Sequence, residues 1–137
     1  VKPYVLKAGQ GWLYRDGGVD FIVKAGEVGP GRRVAVLAYR TTEDEFPGHT
    51  HRTEDEIFYV LQGSLTFNCG DDLLEAETGS FVFLPRGIKH GYRIRGGGEA
   101  HLLVITSPAD PEAAGGWGGF IGEIETSMNP IPPPGLA

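Results

Sequence analysis

The chain is 137 residues long, 40% hydrophobic and 22% charged, the size and make-up of one domain able to bury its own core. Its formal net charge of −6 and pI near 5.1 exclude the basic surface on which binding to nucleic acid or an anionic membrane begins. No run approaches the ~18 to 20 consecutive apolar residues of a membrane helix, and the first residues carry no signal-peptide pattern, so the expected location is cytoplasmic.

Glycine, at 22 residues, and proline, at 10, punctuate short runs rich in Val, Ile, Leu, Phe and Tyr, which reads as short strands joined by tight turns. In chain order the expected strands cover residues 12–15, 19–24, 34–40, 56–62, 64–68, 73–76, 80–84, 91–95 and 100–106. Turn signals stand between several of them at Gly17-Gly18, Gly70-Asp71-Asp72 and Gly96-Gly97-Gly98. The pattern predicts an all-β fold, an antiparallel jelly roll built from two sheets. Cys69 is the single cysteine and excludes an internal disulfide; its Asn-Cys-Gly-Asp-Asp setting places it at a strand end.

Two stretches carry candidate chemistry. In Pro47 to Gly63, P-G-H-T-H-R-T-E-D-E-I-F-Y-V-L-Q-G, His49 and His51 lie two apart, so on an extended strand both imidazoles project from one face. Glu56 follows at a distance that lets the chain turn and return a carboxylate to the same point. In the second stretch, G-S-F-V-F-L-P-R-G-I-K-H-G-Y-R from Gly79 to Arg93, His90 stands just past a Pro-x-Gly turn. Three of the chain's four histidines fall in these two stretches. Imidazole nitrogens with one carboxylate suit a single borderline divalent ion (Fe, Ni, Mn, Cu or Zn), whereas calcium or magnesium would call for more oxygen.

Strand parity proposes a lining. If Glu56 points inward, Phe58 and Val60 share its face; if His90 points inward, Tyr92 and Ile94 share that one. Tyr92 is the stronger substrate-pocket candidate, with a hydroxyl to orient a polar group and a ring to pack on a planar one, and Phe58 is the second. The run Ile57 to Leu61 is apolar on both faces, as is Leu102 to Ile105, so the outer face of these strands needs cover. The partner sheet, the chain's ends or a second subunit could supply it, and a homodimer is the favoured source. His101 reads as a surface or structural residue, and Arg32, Arg33, Arg86 and Arg93, scattered along loops and strand ends, read as a solvated surface rather than an anion site.

After Pro108 the pattern changes. Trp117, Phe120, Ile121, Ile124 and Met128 recur at the spacing of an amphipathic helix, and residues 129–135 form a Pro-rich tail. The expected organisation is therefore a β-barrel with its N-terminal strands over residues 1–108, and a short C-terminal helix and tail over 109–137 packing on that barrel.

The two stretches resemble the paired motifs of the cupin superfamily. His49, His51, Glu56 and Gly63 stand where the first motif has H-x-H, Glu and its closing Gly; Gly79, Pro85, Gly87 and His90 match the second. Glu43 stands where the family's opening Gly would fall, and Ile94 where an Asn often closes the second motif; neither position is a ligand in the family. Over roughly residues 20 to 108 the chain is similar to quercetin-dioxygenase-like single-domain cupins. The resemblance implies a double-stranded β-helix barrel, metal ligation by His49, His51, Glu56 and His90, and a dioxygenase-like reaction on a small aromatic or enolic compound with Glu56 also serving as the catalytic base. Two other classes use the same ligand set: a non-redox isomerase, cyclase or hydrolase with the ion as Lewis acid, and a cupin that binds a small ligand without turnover.

Overall fold

The computed structural model describes residues 3–16, 19–25, 34–43 and 45–107. Ten strands run through them: β1 (Trp12–Asp16), β2 (Val19–Ala25), β3 (Ala35–Thr41), β4 (Glu45–His49), β5 (Asp55–Gln62), β6 (Ser64–Cys69), β7 (Asp72–Glu77), β8 (Phe81–Leu84), β9 (His90–Ile94) and β10 (Ala100–Ser107). They form a six-stranded sheet in the order β1-β2-β3-β10-β5-β8 and a four-stranded sheet in the order β4-β9-β6-β7, with every pairing antiparallel. The all-β expectation holds. The amphipathic segment and Pro-rich tail beyond Pro108, the Gly17-Gly18 turn, and Arg32 and Arg33 lie outside the described residues. Among the described residues no helix is long and apolar enough to cross a membrane.

Alternation decides which face of each strand is covered. Ala35, Leu37, Tyr39 and Thr41 of β3, Leu65, Phe67 and Cys69 of β6, and Ala100, Leu102, Val104 and Thr106 of β10 are buried, with their neighbours in sequence more open. These residues meet between the two sheets in one core, where Leu65, Phe67, Leu84 and Leu102 have no exposed surface. Burying a side chain of that size contributes about 1.5–3 kcal/mol each, so the sheet-to-sheet core, not strand propensity, holds the sandwich closed. On the other face of the six-stranded sheet, Tyr59 and Leu61 of β5 and Phe81 and Phe83 of β8 stay exposed, with Tyr59 paired to Phe81 across the ladder.

One strand departs from the sequence reading. The segment Glu45–His49 contains Pro47 and Gly48 and carries no alternating apolar pattern, yet it pairs with β9 as an edge strand, where a Pro is tolerated. The ladder breaks register between Phe46 and His49, and Gly48 bridges the irregularity at φ 118°. A Cβ at Gly48 would stand 2.5 Å from the His90 carbonyl oxygen, so the close approach of β4 to β9 requires glycine there.

Candidate metal centre

His49 ends β4 and His90 begins β9, paired across the four-stranded sheet, while Glu56 enters from β5 in the six-stranded sheet. His51 lies just past β4, not on it. The expectation of two imidazoles on one strand is corrected to one on the strand and one on the connection that follows. The position of His51 is fixed from outside: the Gly87 N–H donates to the His51 carbonyl at 2.7 Å, and Gly87 takes φ 83°, which only the glycine of the Pro-x-Gly turn adopts without strain. The same turn is tied at Arg86. Its backbone N–H donates to Asp55 Oδ1 at 3.0 Å, and its guanidinium grips both Asp55 oxygens at 3.1 and 2.9 Å. Arg86, expected as a solvated residue, remains half exposed and also staples the second motif to the first.

The four side chains converge. Glu56 Oε2 lies 2.6 Å from His90 Nε2, 2.9 Å from His51 Nε2 and 3.5 Å from His49 Nε2. His49 Nε2 in turn lies 2.8 Å from His51 Nε2 and 3.1 Å from His90 Nε2. One ligand atom from each residue falls within 4.8 Å of every other. Bonds of about 2.1 Å at right angles around one ion separate neighbouring donors by about 3.0 Å, and the observed distances bracket that value. Three nitrogens and one oxygen at this spacing are able to bind a divalent metal ion. His51, Glu56 and His90 are buried, whereas the His49 side chain is 30% exposed, so the cluster opens to its surroundings on the His49 side.

The electrostatics follow from that packing. Burial works against ionising Glu56, but hydrogen bonds from His49, His51 and His90 outweigh it and hold the carboxyl well below the usual range. At His51 burial works against the imidazolium, and the carboxylates of Glu54 and Glu56 overcome it, raising the pKa to about 9. A cluster that attracts positive charge this strongly is suited to a cation.

Two contributors were not singled out in the sequence. Glu54 is fully buried, with Oε1 3.4 Å from His51 Nδ1, so its carboxylate orients the imidazole with Nε2 toward the cluster. Its signal is weak, since the run Glu54-Asp55-Glu56 reads as a solvated charge cluster. Tyr39 is the second: its hydroxyl donates to the Tyr92 hydroxyl at 2.9 Å from the opposite sheet. Tyr92 and Phe58 are both buried in the core, packed around Phe67 with ring centroids 5.7 and 5.1 Å from it. Phe46 places its ring edge-on to His49 at 4.9 Å. His101, outside the cluster, pairs with Glu99 at 3.2 Å as a structural residue.

Residues 36–106 match the family model of the cupin domain. The chain belongs to the cupin family. Two curated relatives of this cupin are dioxygenases. It is 29% identical to quercetin 2,3-dioxygenase of Bacillus subtilis over 93 residues, 67% of this chain and 28% of that protein. It is 31% identical to homogentisate 1,2-dioxygenase of Bradyrhizobium diazoefficiens over 81 residues, 58% of this chain and 18% of that protein. The chain thus spans under a third of the length of either relative. Its fold is shared with a predicted oxalate decarboxylase of Thermotoga maritima, at a TM-score of 0.63 and 17% identity over 77% of this chain and 99% of that one.

Proposed function

We propose that His49, His51, Glu56 and His90 hold one divalent ion and that this cupin is an oxygenase of a small aromatic or enolic compound. The observation that carries the reading is the convergence of three Nε2 atoms on Glu56 Oε2, in a chain whose curated relatives include two dioxygenases. A redox-active ion (Fe, Ni, Mn or Cu) would bring an electron-rich substrate and dioxygen together at this point, whereas Zn would serve there as a Lewis acid only. The protein's own part is to bind and orient. Glu56, beside the ligand nitrogens, accepts the proton of an enol or phenol O–H and so acts as the base. Tyr92 and Phe58 present aromatic surface to a planar ring, and the half-open side at His49 is the entry. Glu54 holds the His51 imidazole in the orientation that turns Nε2 toward the cluster.

The same proposal places a homodimer contact on the outer face of β5 and β8, where Tyr59, Leu61, Phe81 and Phe83 leave an apolar patch beside a sheet edge.

Elemental analysis of carefully purified protein, followed by oxygen uptake with quercetin, simple catechols and diketones, tests the oxygenase reading. Iron, nickel, manganese or copper with substrate-dependent oxygen consumption supports it. Zinc alone with no uptake overturns it in favour of a non-redox isomerase or cyclase.

A further inference from the structure

The interior of the sandwich holds a polar pair that metal ligation leaves unused. Tyr39 on β3 and Tyr92 on β9 reach toward each other from opposite sheets, and the Tyr39 O–H donates to the Tyr92 oxygen at 2.9 Å. Both residues are more than nine-tenths buried, at 6% and 7% exposure. Two hydroxyls carry two protons, and one bond between them uses one. The Tyr92 proton has no acceptor among the described residues. A buried O–H in that condition is costly, and phenylalanine at both positions together would keep the ring packing while removing the cost. Among the described residues the rings around Tyr92 are Phe46, Phe58 and Phe67, at 5.7, 6.3 and 5.7 Å, and none of them carries an oxygen or nitrogen acceptor.

Tyr92 shares the inward face of β9 with one member of the cluster. Tyr92 stands two residues from His90 on the same strand, and both are buried, so the two side chains share the inward face about 7 Å apart at the backbone. Burial pushes the Tyr92 phenol up to about 12, with Glu43 and Glu56 adding to it. Burial and then Tyr92 raise Tyr39 well above its ordinary value, with a further contribution from Glu56. A phenol ordinarily ionises at about 10, so both hydroxyls are O–H donors at neutral pH.

We propose that the Tyr39–Tyr92 pair is the hydrogen-bond donor that fixes one enolic or phenolic oxygen of the small molecule bound at the His49, His51, Glu56 and His90 cluster. Tyr92 touches the ligand; Tyr39 is a positioning residue that holds and polarises the Tyr92 hydroxyl. The inference rests on the cluster being the place where a small molecule binds, and it adds a specificity determinant that ligation alone does not supply. A site built to donate to a particular oxygen discriminates against the analogue that lacks it.

The test compares 3-hydroxyflavone with flavone, two ligands that differ by the one oxygen in question. Fluorescence titration is run on metal-free and on zinc-loaded protein, where zinc prevents turnover. The wild-type protein should prefer 3-hydroxyflavone by about 10-fold or more. On metal-free protein, where no ion binds the same oxygen, Tyr92→Phe should lower that ratio by about 10-fold, with the zinc content of the loaded protein unchanged. Tyr39→Phe, which keeps the donating hydroxyl, should lower the ratio by about 3-fold. Equal weakening for both ligands would mark a merely structural role and overturn the proposal. So would an unchanged ratio in both variants, or no preference in the wild-type protein. Failure to take up zinc would sink the metal reading instead, and the metal-free titration would still decide the role of the pair.

Discussion

Gly48→Ala is the substitution that most directly couples backbone to site. The added Cβ would lie 2.5 Å from the His90 carbonyl oxygen and 3.0 Å from its carbon, where ordinary contact begins at 3.4 Å. Both obstacles are backbone, so no side chain can swing away. β4 must retreat from β9 by about 0.9 Å, the shortfall against that 3.4 Å contact. His49 is the next residue and moves with it, stretching the 3.1 Å separation of its Nε2 from that of His90. Metal sites tolerate about 0.2 Å of error in bond length, so affinity should fall by about 100-fold or more. The φ of 118° adds strain of about 1–3 kcal/mol in a residue with a side chain. Gly79→Ala separates the two effects, because Gly79 also has a positive φ, 89°, but nothing within 4 Å of its Cβ position. Calorimetric metal titration and thermal unfolding of both variants provide the assay. Gly79→Ala should lose stability and keep metal affinity; Gly48→Ala should lose both. Wild-type metal affinity in Gly48→Ala would refute the claim that the approach of β4 to β9 sets the position of His49.

Two further outcomes follow from the geometry around the cluster. Glu54→Gln should weaken metal binding by about 10- to 100-fold with little change in folding, since the amide occupies the same buried volume but no longer anchors the His51 imidazole as a carboxylate does; competition against a chromophoric chelator reads this out. Cys69, whose thiol burial and then Asp72 push above its ordinary range, should resist iodoacetamide at pH 8 in the folded protein and react at the ordinary rate once unfolded in denaturant, and rapid native labelling would show that β6 and β9 part at that end.

The alternating apolar runs were legible because each buried strand face is a local property: Glu56, Phe58 and Val60 point inward together, as parity requires. The cluster was legible for a related reason, since motif spacing reports where His49, His51, Glu56 and His90 stand along the chain. What escaped depends on partners distant in sequence. Tyr39 and Tyr92 are 53 residues apart, and Arg86 and Asp55 are 31 apart, so no local pattern announces either contact. The strand Glu45–His49 escaped because Pro47 and Gly48 leave it without an alternating apolar pattern; only pairing with β9 makes an extended edge of them. Glu54 escaped because burial, which local sequence does not report, distinguishes an orienting carboxylate from an exposed one.

The donors come from both sheets, so an ion bound there would stabilise the fold. In the unfolded chain His49 and His90 are 41 residues apart and have no reason to meet; in the folded chain their Nε2 atoms lie 3.1 Å apart. An ion held by the folded state alone stabilises it by about 2.7 kcal/mol when present at 100 times its dissociation constant. For a chain of this length that shift should raise Tm by roughly 10 °C. The gain should vanish on adding a chelator and shrink in His90→Ala, which removes a ligand from the four-stranded sheet while leaving Glu56 in the other. Measuring the dissociation constant separately makes the comparison strict. A Tm that does not respond to saturating metal would mean that the ion binds folded and unfolded chains alike, which donors drawn from two sheets do not permit.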